Sequence, residues 1–110
     1  MALKLDYLDN EYQLDLDDID VPQARAMERL GIPNLKSLEE GLIEGKLDCL
    51  VFAYWLTLVQ NGEEGQRLDR VEKRADFKPM KFAKAVAVAI YTSLKELEAE
   101  AAKDPKDDED

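Results

Sequence analysis

The residue types most suited to chemistry are acids. Asp15, Asp17, Asp18 and Asp20 follow the pattern D-x-D-D-x-D that opens a calcium-binding loop. Such a loop needs a glycine at its sharp turn and a late bidentate glutamate, and neither stands at the required offset. The cluster therefore reads as a solvated acidic connector whose last member, Asp20, caps a helix. Glu39-Glu40 and Glu63-Glu64 have the residue type of glycosidase acids, but one pair falls on a helix surface, the other in a loop, and no cleft is implied between them. Histidine is absent, so the usual general base near neutral pH is missing. The serines, Ser37 and Ser93, lie in no G-x-S-x-G, and no glycine-rich phosphate loop follows a strand. The single cysteine, Cys49, excludes an internal disulfide and a cysteine metal cluster, and its apolar neighbours mark it as a small buried hydrophobe. The expectation is a protein that is not an enzyme and takes no cofactor and no metal.

Two other sets of residues suit binding. The first is a basic strip, Arg67, Arg70, Lys73, Arg74, Lys78, Lys81 and Lys84, in which Arg70, Lys73 and Arg74 share a face at helical spacing. Its plainer reading is a solvated face balanced by Asp69, Glu72 and Asp76. Its functional reading is a surface that docks acidic protein segments or pairs with the acidic N-terminus. Nucleic acid is disfavoured, because no aromatics are interleaved with the strip and the chain carries 25 acids against 15 bases, a net −10. Anionic membrane surfaces are disfavoured for the same reason. The second set is Phe52, Tyr54 and Trp55. Aromatics on a helix are core residues first, but an exposed part of such a group would anchor a partner. The expected partner-binding residues are Tyr54, Trp55, Leu58, Arg67, Arg70, Arg74, Lys78 and Phe82. A homo-oligomer is an open alternative.

The elements that must position these residues follow from periodicity and punctuation. A chain of 110 residues, 45% of them hydrophobic, fits one domain with one modest core. Leu3, Leu5 and Tyr7, then Tyr12, Leu14 and Leu16, alternate with polar residues about Asp9-Asn10, which predicts a β-hairpin over about 2–16 turning at that pair. Asp20 and Pro22 start a helix carrying Ala24, Met27 and Leu30 and stopping at Gly31. Ser37 and Glu40 read as a capping box for a short helix that buries Leu38, Leu42 and Ile43 and ends near Gly45. A helix from about Leu47 to Asn61 is apolar nearly all round, as the buried spine of a fold is. Residues 66–74 read as a short helical turn with Leu68 and Val71 inward. From Pro79 to about Ala101 a long helix carries a stripe of Met80, Ala83, Val86 or Ala87, Ile90, Leu94 and Leu97, widened by Phe82 and Tyr91. We expect a mainly α fold, a small domain of four to five helices with an N-terminal hairpin over 1–102, and a disordered acidic tail over 103–110. The N-terminus lacks the layout of a signal peptide, and the longest apolar run, Cys49 to Leu56, is far short of the roughly 20 residues that span a bilayer. The expected setting is intracellular.

The stretches L-D-L-D-D-I-D-V-P-Q-A-R-A-M-E-R-L-G-I and G-L-I-E-G-K-L-D-C-L-V-F-A-Y-W-L-T-L-V-Q-N-G resemble the small tail assembly chaperones of long-tailed bacteriophages. These open with a strand pair, then an E-A-x-x-I-E-x-x-T-G helix, then a G-D-x-x-A-L-x-A-x-x-W-L helix and a variable acidic end. Ala24, Arg25, Glu28, Arg29, Gly31, Gly45, Asp48, Trp55 and Leu56 stand in those places, over about residues 3–72. Pro22-Gln23 replaces the acidic helix start, Leu30 replaces a threonine, and the basic residues of 66–84 lie outside the pattern. The resemblance implies a protein that coats the aggregation-prone tape measure protein in the host cytoplasm before tail-tube subunits polymerise around it. It implies absence from the mature virion and, in many members, a longer product made by ribosomal frameshifting. The alternatives are a phage structural or head-tail joining protein, and an acidic regulator acting by charge mimicry.

Overall fold

The computed structural model describes residues 2–63 and 67–103. The tail expected over 103–110 lies outside them except for Lys103, as do loop positions 64–66. The architecture is mainly α: among the described residues, a two-stranded antiparallel hairpin precedes five helices.

The hairpin pairs β1 (Ala2–Tyr7) with β2 (Asn10–Asp15), setting Leu3 opposite Leu14, Leu5 opposite Tyr12 and Tyr7 opposite Asn10. Leu3, Leu5, Tyr7 and Leu14 face the core, joined by Leu16 just beyond β2, while Lys4, Asp6, Glu11 and Gln13 face water. The turn is Leu8-Asp9, one residue earlier than Asp9-Asn10. Both residues have positive φ, 50° and 66°, as a tight two-residue hairpin turn requires. Asn10 instead starts β2 and donates its side-chain amide to the Leu8 carbonyl at 3.1 Å. This register turns the backbone groups of Gln13 and Asp15 away from β1, where the end of a helix takes them. Asn61 Oδ1 accepts from the Gln13 N–H at 3.0 Å and its Nδ2 donates to the Gln13 carbonyl at 2.7 Å. Gln60 does the same for Asp15, at 2.8 and 3.0 Å.

Helix α1 (Val21–Arg29) begins at a full capping box: Asp20 accepts from the Gln23 N–H at 2.8 Å, and Gln23 accepts from the Asp20 N–H at 3.0 Å. Helix α2 (Leu35–Glu44) starts earlier than expected. Its cap is Asn34, whose side chain accepts from the Ser37 N–H at 2.8 Å, so Ser37 lies inside the first turn. Leu38 and Leu42 go inward with Gly41, but Ile43, expected to be buried with them, lies about 100° round the helix from Leu42 and is 66% exposed. Gly41 lets α2 approach the next helix closely, since a Cβ there would overlap the Cys49 sulfur.

Helix α3 (Leu47–Gln60) is the spine, buried on nearly every side from Cys49 to Leu58. Its one buried polar side chain, Thr57, donates to the Ala53 carbonyl one turn back at 2.7 Å, so no hydroxyl is stranded. Helix α4 (Leu68–Val71) is a single turn with Val71 buried and Leu68 half-buried. Helix α5 (Pro79–Lys103) lies against β1, while α3 lies against β2 and α2 touches both helices. The buried face of α5 is Phe82, Val86, Ala89 and Ile90. The expected stripe is corrected at Met80, Leu94 and Leu97, which are 81%, 49% and 59% exposed. At 3.6 residues per turn, a face that buries Phe82 and Val86 cannot also bury Met80. Beyond Ile90 the helix leaves the core, passing the outer side of the hairpin and then extending past it: through Glu100 each of its residues is exposed except the half-buried Ser93. The described chain measures 57 × 30 × 26 Å, its length set by this arm.

Candidate protein-binding surface

The aromatic residues divide between core and surface. Tyr54 stacks on Phe77 with ring centroids 5.0 Å apart and meets Tyr7 and Phe82 edge-on at 5.5 and 5.2 Å. Tyr7 and Phe82 also meet edge-on, at 5.4 Å. Tyr54, Leu58 and Phe82 are thus buried in the core, contrary to the expectation that they meet a partner. They lie where α3 and α5 face the hairpin, so the fold itself covers them. Burial pushes the Tyr54 phenol above its usual range, with the Asp76 carboxylate adding to the shift.

The Tyr7 hydroxyl ties this cluster to the chain entering α5. It donates to the Asp76 carbonyl at 2.6 Å and accepts from the Lys78 N–H at 2.7 Å. Arg74 stands beside it. Its guanidinium donates through Nε and Nη2 to the two carboxylate oxygens of Asp76, at 2.9 and 2.8 Å, and through Nη1 to Glu63 at 3.4 Å. That bidentate bond holds the Asp76 carboxyl below its usual range and the Arg74 guanidinium above its own. Arg74 is therefore a clamp on the α4–α5 connection. Lys78 contributes its backbone there while its side chain stays exposed. Arg70 is exposed, and Arg67 pairs with Asp69 at 3.2 Å with both side chains mostly in water. The basic strip thus does not act as one surface: part of it holds the fold together, and part is solvated.

Of the eight expected residues, Trp55 and Arg67 come together. They line an open groove between α1, α3 and α4, with Ala26, Leu30, Val51 and Leu68 as apolar walls. Trp55 packs tilted on Phe52, with centroids 5.7 Å apart, and remains half-buried. The rim carries both signs: Asp20, Asp69 and Glu72 against Arg29 and Arg67. The α1 wall of this groove was not foreseen. The capped start at Asp20 located α1, but which of its faces turns toward α3 is decided by tertiary packing. The last helix was expected to meet a partner through Phe82, but the apolar residues of α5 that are open to solvent are instead Met80, Val88, Tyr91, Leu94 and Leu97.

The acidic cluster has local structural uses. Asp15 accepts from the Asp17 N–H at 2.9 Å, its carbonyl accepts from the Asp18 N–H at 3.1 Å, and Asp20 caps α1. Among the described residues, no group of three or more acids, cysteines or histidines is placed to hold a metal ion. Burial pushes the Cys49 thiol above its usual range. No described helix is long and apolar enough to cross a membrane. No family model matches the chain, and neither a curated protein nor a solved structure matches it.

Proposed function

We propose that the protein is a tail assembly chaperone of a long-tailed bacteriophage. In this reading it holds an amphipathic helix of the tape measure protein in the Trp55 groove, in the host cytoplasm, before tail-tube subunits polymerise. The observation that carries the reading is the groove: a half-buried indole on an apolar floor, open to water and rimmed by charges of both signs. Such a groove suits the apolar face of a helix, and tryptophan is a favoured anchor because it offers a large rigid surface at small entropic cost. The charged rim would set the register of the bound helix. A net charge of −10 keeps a complex with an aggregation-prone chain dispersed. Arg29 and Trp55, two of the positions that carry the family resemblance, both line the groove.

The test is binding of a tape measure fragment by folded variants. Trp55→Ala should weaken binding by at least about 30-fold, the scale of an interface hot spot, with helical circular dichroism unchanged. Should that variant lose its fold, Leu68→Glu on the groove wall makes the same test from a half-buried site. Unchanged affinity in a folded variant removes the groove from the account. Mass spectrometry of purified virions should find no copy of the protein, whereas a stoichiometric copy number would favour a head-tail joining protein.

A further inference from the structure

We propose that two copies of this chain pair through the outer edge of β1, forming a four-stranded antiparallel sheet about a two-fold axis at Leu5. A two-stranded sheet has two edges, and here they differ. The β2 edge is closed by Asn61 and Gln60, which bond the backbone of Gln13 and Asp15. Those bonds also fix the geometry of the other edge. Gln13 faces away from β1, so Lys4 directly opposite it belongs to a non-hydrogen-bonded pair. The N–H and C=O of Lys4 therefore point outward, as do those of Asp6 two residues on, and no described residue takes them. An edge of this kind is a template for another strand.

The charges identify that strand as a second β1. With Leu5 on the axis, Lys4 of one copy lies opposite Asp6 of the other. The two residues exchange both backbone hydrogen bonds, and their side chains meet as opposite charges on the solvent face, twice per dimer. Among the described residues neither forms a close ion pair within one copy: Lys4 faces Gln13, Asp6 faces the like-charged Glu11, and Lys81 and Lys84 line the cleft beside them without closing on Asp6. Helix α5 runs beside the edge, and the clefts between them are lined by Lys4 and Asp6 with Lys81, Lys84, Ala85 and Val88, then with Val88, Thr92 and Glu96. Val88, shared by the two clefts, is 57% exposed. The strand edge is thus self-complementary in backbone and in charge about one axis. The surface contains none of the groove residues, so the proposal stands apart from the chaperone reading.

Sedimentation equilibrium of the full chain up to about 100 μM, with circular dichroism of each variant, tests this. The wild type should sediment as a dimer. Lys4→Asp and Asp6→Lys each turn two attractive pairs repulsive and should weaken the dimer by about 10-fold or more, and the two changes combined should restore it. Amide exchange at Lys4 and Asp6 should slow with rising protein concentration. A monomeric wild type, a dimer indifferent to either reversal in a folded variant, or a folded double variant no better than the singles would overturn the proposal. If a reversal unfolds the chain, exchange decides: rates at Lys4 and Asp6 that do not depend on concentration overturn it.

Discussion

Tyr7 shows how a single polar atom can hold two distant parts of a chain. Its hydroxyl, inside an aromatic cluster, joins the hairpin to the backbone of Asp76 and Lys78. Tyr7→Phe keeps the ring contacts but leaves one carbonyl and one N–H without their partner. It should cost about 1–3 kcal/mol in denaturant unfolding at pH 7. Asp76 adds a pH dependence. Its folded carboxyl lies below the usual range because Arg74 bonds the ionised form. The clamp's contribution is therefore complete above the unfolded pKa of about 3.9 and lost as pH falls through the lower folded value. Asp76→Asn should be less stable than wild type at pH 7, and the gap between their unfolding midpoints should narrow as pH falls below about 3.9. The sequence makes some single-residue roles legible and hides others. The Asp20 cap follows from its spacing to Pro22. The Asn34 cap was obscured because Ser37 offered a competing local pattern. The tasks of Arg74 and the Tyr7 hydroxyl depend on groups brought together only by tertiary folding, so no local spacing announces them.

At the scale of elements, periodicity located all five helices and the hairpin, and the errors concern phase. The hairpin turn is Leu8-Asp9 because the edge of β2 must meet Gln60 and Asn61, a long-range demand invisible at the turn itself. Leu8 accordingly sits at φ 50°, where an L side chain with a Cβ is strained. Leu8→Asn should raise stability by about 0.5–1 kcal/mol, read as a higher thermal midpoint with unchanged circular dichroism. The long helix was legible from Pro79 onward, but its buried face was misjudged, because apolar residues recur on both sides of it. Only the neighbours decide which side is covered: Phe82, Val86, Ala89 and Ile90 face the body, whereas Tyr91, Leu94 and Leu97 lie on an arm that leaves it. The same problem of phase placed Tyr54 and Leu58 in the expected site, since an all-round apolar helix does not reveal which residue will remain accessible. Of the aromatics on α3, Trp55 is the one left half-buried.

For the whole molecule, the central physical claim is that the chain has more apolar helix surface than its own core covers. Among the described residues nine large hydrophobic residues stay exposed, five of them on α5, and a half-buried indole lines the groove beside a charged rim. In the proposed reading, such surfaces let an acidic molecule associate while remaining dispersed. Trp55 is the only tryptophan in the chain, so indole emission reports on the surroundings of the groove residue itself. The most direct measurement is a titration of the full-length protein with a peptide carrying an amphipathic helix of the tape measure protein, following Trp55 emission alongside calorimetric heat. The account predicts a saturable blue shift whose midpoint matches the calorimetric one, as the indole leaves water. Calorimetric binding with Trp55 emission unchanged, or no binding at all, would contradict it.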